Sequence, residues 1–363
     1  MQPGTRVDSL DHFRGVLAVV IMIYHYTAWS FSGWMAPDSL LSVLGYYGVS
    51  AFFAISGISL AIAYKGRMAS KADIGNFLKR RFFRIAPLYW VAITLTIASV
   101  ALTKQSLEIT RSISWFDLVA NYTLAFSLFG PSKSLVTGGW SIGNEVFFYL
   151  CFPAIFWMAL KSKRLMLVAV AVSLTLFAMW GFWYVPMAGA SRQDAWNLYI
   201  SNPNQLLFFV VGVVIGLTSA PRQLGRSWLI AAAAAAIAML SLASVGERGE
   251  LVEGWNRVYL SSAILILVFC VYQINWASNS LPGRILSLLG LISYSLYLLH
   301  PIVRTVVSWL VHGTGLHPLG VVLISVVVTL IVSWLSYKYV ELPGIRLGRS
   351  WGGRREPAAH ASP

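Results

Sequence analysis

Ten stretches of this chain stay apolar for about 20 residues with no strand-like alternation, at 13–31, 41–64, 82–103, 140–160, 164–187, 203–219, 227–245, 257–274, 284–311 and 317–340. A helix of that length crosses a hydrocarbon core of roughly 30 Å, and a backbone inside lipid must satisfy its own polar groups. A β-barrel would need alternating residues, which these runs lack. The expected class is therefore all-α, a polytopic bundle of about ten membrane helices. With 57% hydrophobic and 11% charged residues, a soluble domain of 363 residues is excluded. Cys151 and Cys270 both fall inside apolar runs, so neither a disulfide framework nor a metal site is expected. The first run reads as a retained span rather than a cleaved signal.

An eleventh apolar segment, 115–129, is short and interrupted by Asp117 and Asn121. Loop charges decide its role. If it does not cross and the N-terminus is cytoplasmic, the inner face collects Arg6 and Arg14, then Lys79, Arg80, Arg81 and Arg84. It also collects Lys161, Lys163 and Arg164, and the basic tail with Arg346, Arg349, Arg354 and Arg355. The outer face keeps Lys104, Arg111, Lys133, Arg192, Arg248 and Arg257. Crossing at 115–129 would invert every later loop, against the positive-inside rule. The segment is thus expected to be re-entrant or interfacial. The net charge of +14 then reflects cytoplasmic loops and contact with anionic lipid, not nucleic acid. One membrane domain is expected over 1–343, followed by a disordered cytoplasmic tail over 344–363.

Polar groups inside spans are costly and mark function. In "LDHFRGVLAVVIMIYH" His25 follows Arg14 by eleven residues, close to three helical turns, so the two share a face about 16 Å apart. Asp11 lies one turn before Arg14 on nearly the same face. In "WSIGNEVFFYLCFP" Glu145 sits roughly 8 Å from the outer boundary, and His25 roughly 12 Å from it. At that common depth the carboxylate can orient the imidazole or act on a substrate hydroxyl. Trp140 and Ser141 stand at the outer mouth. Arg81 and Arg84 share one face at the inner end of the third run, a fork suited to phosphates. His300 precedes Pro301, which breaks the ninth run's hydrogen bonding, so His300 either satisfies that break or meets substrate. "GVSAFFAISG" reads as a close-packing face of small residues, with Ser50 able to line a cavity.

Taken together, these stretches resemble the acyltransferase-3 family of integral membrane acyltransferases. The series runs "LDHFRGVLAVVIMIYH", "GVSAFFAISG", "RRFFRIAPLYW", "WSIGNEVFFYLCFP" and "SYSLYLLH", and ends at "YVELP". It covers nearly all of 8–343, in order. Two departures stand out. Ser50 occupies a position where the family often has aspartate, and Val146 stands where a second glutamate often follows Glu145.

The resemblance implies transfer of an acyl group, usually acetyl, from cytoplasmic acyl-CoA to a hydroxyl of an exported or lipid-linked carbohydrate in the bacterial inner membrane. No metal is implied. It makes His25 and Glu145 the catalytic candidates, and Arg14, Arg81 and Arg84 the acyl-CoA candidates. Asp11, Ser50, Trp140, Ser141 and His300 are the acceptor-side candidates. His25 either deprotonates the acceptor or carries the acyl group itself. A flippase for a lipid-linked sugar is the main alternative, against which no inverted repeat is visible. A reporter fused after Pro363 should work only on the cytoplasmic side; activity on the outer side would overturn the topology.

Overall fold

The computed structural model describes residues 7–31, 35–103, 113–188, 192–245, 247–274 and 280–351. The expected loop charges Arg6, Lys104, Arg111, Arg354 and Arg355 lie outside these residues, as does the tail from 352. Among the described residues the structure is all-helical, with no strand.

In chain order the helices are α1 (Asp8–Ser30), α2 (Leu40–Tyr64), α3 (Lys71–Thr103), α4 (Trp115–Tyr122), α5 (Phe126–Phe129), α6 (Trp140–Lys161) and α7 (Lys163–Met179). A π-helical turn, Trp180–Tyr184, joins α7 to α8 (Val185–Met187). There follow α9 (Arg192–Tyr199), α10 (Asn202–Thr218), α11 (Arg226–Ser241), α12 (Gly254–Ile274), α13 (Leu281–Leu310) and α14 (Pro318–Ser336). A second π-helical turn, Tyr337–Glu341, leads into α15 (Leu342–Ser350).

Among the described residues eight helical segments are long and apolar enough to cross a membrane, and the chain is a multi-pass membrane protein. The two other expected spans are helical but fall outside this group. At 16 residues α11 is too short. With 23 residues α1 is long enough, and it falls short in apolarity because it carries Asp8, Asp11, Arg14 and His25. The segment 115–129 forms the short helices α4 and α5, neither long enough to cross. Ser114 and Asp117 close a capping box on α4, which stops it cleanly at its N-terminus. Helix runs on across the expected boundary at 343. Residues 342–350 continue as helix, with Gly344 and Gly348 packed on α3 at Phe83.

Two close helix crossings position the interior. Between α1 and α13, a Cβ added to Gly15 would stand 2.6 Å from the amide nitrogen of Gly290, and one added to Gly290 would strike the Asp11 carbonyl. Between α2 and α10, a Cβ on Gly57 would strike the Phe209 carbonyl and one on Gly212 the Ala54 carbonyl. Without hydrophobic drive in lipid, such backbone-to-backbone contact is how helices associate. The first crossing is reinforced where His12 Nε2 meets Ser287 Oγ at 2.9 Å. It sets the polar start of α1 against the first third of α13.

Arg257 corrects the sequence reading. Expected as an outer loop charge, it is 1% exposed. Its guanidinium lies 4.0 Å from the Phe177 ring and donates to the Asn204 carbonyl at 3.1 Å. Gly181, in the first π-helical turn, leaves room for it.

Gly290→Val should force α1 from α13, an overpacking cost of about 1–3 kcal/mol or more. Gly75 faces open space in α3, so Gly75→Ala should be neutral or stabilise by up to about 1 kcal/mol. Thermal unfolding in detergent, followed by size-exclusion profile, checks both. A Gly290→Val protein as stable as Gly75→Ala would refute the crossing.

Candidate active site

The polar residues of five helices converge on one cavity of about 80 Å³ between α1, α2, α3, α6 and α13. Arg14 enters from α1 and Arg84 from α3, while Ser141 and Glu145 come from α6. Ser56 lies on α2, and Ser293, Tyr294 and Tyr297 on α13 complete the polar lining. Apolar side chains of α2, among them Phe52 and Phe53, fill the rest of the wall. An arginine facing hydrocarbon would cost several kcal/mol, so an internal cavity is where these cations can reside.

Arg14 Nη1 donates to Asp11 Oδ1 at 3.2 Å, and its Nη2 donates to Ser59 Oγ at 3.2 Å. One helical turn separates Asp11 from Arg14, as the sequence spacing requires. Arg84 lies within electrostatic range of Glu145, Asp11, Tyr149 and Glu341. The cavity's cations are thus balanced by carboxylates from α1, α6 and the second π-helical turn.

Glu145 accepts from Ser56 Oγ at 3.4 Å and from Tyr149 Oη. Tyr149 is one turn along the same helix. The expected contact between Glu145 and His25 is therefore replaced: Glu145 turns to α2 and its own helix, toward the arginine side of the cavity.

His25 pairs with His300 instead. Its Nδ1 lies 2.9 Å from His300 Nε2, with ring planes within 13° and centroids 5.1 Å apart, which is the geometry of an in-plane hydrogen bond. Trp29, one turn further along α1, stacks on His25 at 5.0 Å and 9°. His300 is fully buried, and its Nδ1 lies 3.2 Å from the Leu296 carbonyl one turn back. Tyr26 Oη donates to the His300 carbonyl at 2.9 Å, and the Thr329 hydroxyl is 2.7 Å from it. The histidine pair adjoins the cavity through Tyr297. That ring lines the cavity, stands 6.1 Å from the His300 ring and also contacts Phe52. Tyr297 Oη is anchored to the Gly138 carbonyl at 3.0 Å.

The expected arginine fork is divided. Arg84 lines this cavity, whereas Arg81 lines a neighbouring one between α3, α5 and α6. Arg81 lies 5.6 to 5.9 Å from the rings of Tyr64, Phe77 and Tyr149. Tyr149 lies within electrostatic range of both arginines, and Ile85 lines both cavities.

Of the acceptor-side candidates, Ser141 lines the cavity and donates to the Gly138 carbonyl at 3.0 Å. Trp140 packs instead against Phe53 and Trp196. Ser50 is displaced from its expected place: it donates to Gln205 Oε1 at 2.9 Å and ties α2 to α10, outside the cavity lining.

Several contributors carried no reading from sequence. Tyr294 and Tyr297 stand three apart in "SYSLYLLH", and Tyr149 stands four after Glu145; both are same-face spacings. Glu341 was visible only as an acid near the end of the last run. The second π-helical turn brings it to Ser295 Oγ, which donates to it, and burial leaves it 4% exposed. Among the described residues no three histidine, cysteine, aspartate or glutamate side chains converge on a metal position.

Comparison with known proteins fits this geometry. The chain is similar to "O-acetyltransferase OatA" of Staphylococcus aureus (strain NCTC 8325 / PS 47), with 26% identity over 93% of this chain and 57% of that protein. It is also similar to "Putative O-acetyltransferase SACOL0978" of Staphylococcus aureus (strain COL), at 25% identity over the same shares. The chain thus spans little more than half the length of these relatives. No solved structure matches it. Residues 7–338 match the acyltransferase-3 family, described as an acyltransferase domain, and the chain belongs to that family.

Proposed function

We propose that the protein is a membrane O-acyltransferase that moves an acyl group, acetyl in the simplest case, from acyl-CoA to a hydroxyl of an exported or lipid-linked carbohydrate. The observation that carries this reading is one cavity with guanidinium groups at Arg14 and Arg84 and, behind Tyr297, the hydrogen-bonded pair of His25 and the buried His300. Family membership and the names of the relatives support the reaction class.

CoA is polyanionic. Its phosphates suit the α3 end, where Arg81 and Arg84 stand three apart, and charge-assisted hydrogen bonds to a guanidinium are the strong kind. An extended pantetheine arm spans about 15–20 Å, comparable to the three turns of α1 between Arg14 and His25. The thioester is then carried past Tyr297 to the imidazole of His25. The loop-charge bias supports an arginine end in the cytoplasm, with both termini, and a carbohydrate on the outer side of a bacterial inner membrane.

In the direct route, His25 takes the proton of the acceptor hydroxyl as its oxygen attacks the thioester carbonyl. The carbon–sulfur bond breaks, and the leaving thiolate recovers the proton from the imidazolium. The products are an O-acyl ester and free CoA. In the two-step route the imidazole itself attacks the thioester, releases CoA and passes the acyl group to the hydroxyl. The direct route needs only a neutral imidazole with one bare nitrogen and is the preferred one. Glu145, held by Ser56 and Tyr149, balances the cavity's cations and keeps Arg84 oriented.

His25→Ala should lower acyl transfer at least about 100-fold with folding and glycan export intact. Arg84→Gln should raise the KM for acetyl-CoA about 10- to 100-fold, the loss of one or two charge-assisted bonds, with kcat less affected. Surface-glycan ester content and steady-state kinetics on the purified full chain check both. Full acylation by His25→Ala, or lost export with acylation unchanged, would overturn the reading.

A further inference from the structure

We propose that His300 is a positioning residue that fixes which nitrogen of His25 reacts. The inference rests on the acyl transfer proposed above. The Leu296 carbonyl can only accept, so the His300 nitrogen facing it, Nδ1, carries the proton. A neutral His300 then has a bare Nε2, which can only accept from its partner. His25 Nδ1 lies 2.9 Å away in the same plane and must donate. The hydrogen-bond network thereby assigns the tautomer of His25: Nδ1 protonated, Nε2 bare and free to take a proton or an acyl group.

This chain of assignments is anchored at its far end by the fold. His300 is enclosed, 1% exposed, and its carbonyl is held by Tyr26, itself on α1 one residue after His25. The ring of Tyr297 closes a third side. Trp29 stacks on His25 and limits rotation of the imidazole out of the shared plane. When His25 Nε2 takes the acceptor's proton, the new imidazolium keeps its Nδ1–H bond to His300, now charge-assisted and stronger. His300 itself neither gains nor loses a proton. It plays the orienting part that a carboxylate plays behind other catalytic histidines, with a neutral acceptor suited to a site deep in the bundle.

Side-chain length separates this role from a local structural one. Asparagine at 300 places its amide near the Nδ1 position, so it can serve the Leu296 carbonyl but stops short of His25. Glutamine extends to the Nε2 position and offers an oxygen to His25 Nδ1. We therefore expect His300→Asn and His300→Ala to lose roughly 100-fold in kcat while the KM for acetyl-CoA stays within about twofold. His300→Gln should recover at least tenfold of that loss.

The assay uses the purified full chain in lipid nanodiscs, with acetyl-CoA as donor and the host's isolated surface glycan as acceptor. Thermal unfolding is measured alongside. Asparagine matching or exceeding glutamine, or a wild-type kcat in His300→Ala, would overturn the inference. His25→Ala serves as the reference. If it remains active, the acyl-transfer role of His25 fails; if it is inactive while every His300 variant turns over normally, only the positioning role fails.

Discussion

A guanidinium has no place in hydrocarbon, and the arrangement of this bundle follows from giving Arg14 and Arg84 somewhere to be. Each is on a helix that would otherwise cross lipid as an ordinary apolar rod. Asp11 and Ser59 hold Arg14, while Glu145, Glu341 and Tyr149 surround Arg84 electrostatically. Satisfying both cations requires α1, α2, α3, α6 and the end of the last helical segment to face one interior space. The glycine crossing of α1 on α13 sets how closely they can approach it. The cavity is therefore a consequence of charge burial as much as a binding site.

Much of this was legible from the residue pattern. The apolar runs gave the helices, because about 20 continuous apolar residues have few other solutions. The positive-inside rule set 115–129 apart from the long runs, and that segment forms α4 and α5, each too short to cross. Three-turn spacing put Arg14 on the inward stripe of α1. The small residues of "GVSAFFAISG" did mark a close contact, through Gly57 against α10.

What sequence could not supply was rotation and partner choice between helices far apart in the chain. Glu145 and His25 match in depth, yet depth does not say which neighbour a side chain turns toward, and each found a different one. Arg81 and Arg84 share a face by spacing, yet they line two different cavities that have Ile85 of α3 in common. Arg257 begins a run, so it looked like a loop charge until the π-helical turn opposite made room for it. Glu341 likewise depends on a π-helical turn, a local register change that no hydrophobic period announces.

The central claim is that one continuous path links the arginine end of the cavity to His25. A structure of the full chain in lipid with a non-transferable thioether analogue of acetyl-CoA tests it most directly. The phosphates should lie against Arg81 and Arg84, the pantetheine between Ser56 and Tyr294, and the acyl carbonyl beyond Tyr297 in contact with His25. An analogue bound with its acyl end away from the histidine pair, or with its phosphates on the opposite face of the bundle, would contradict it.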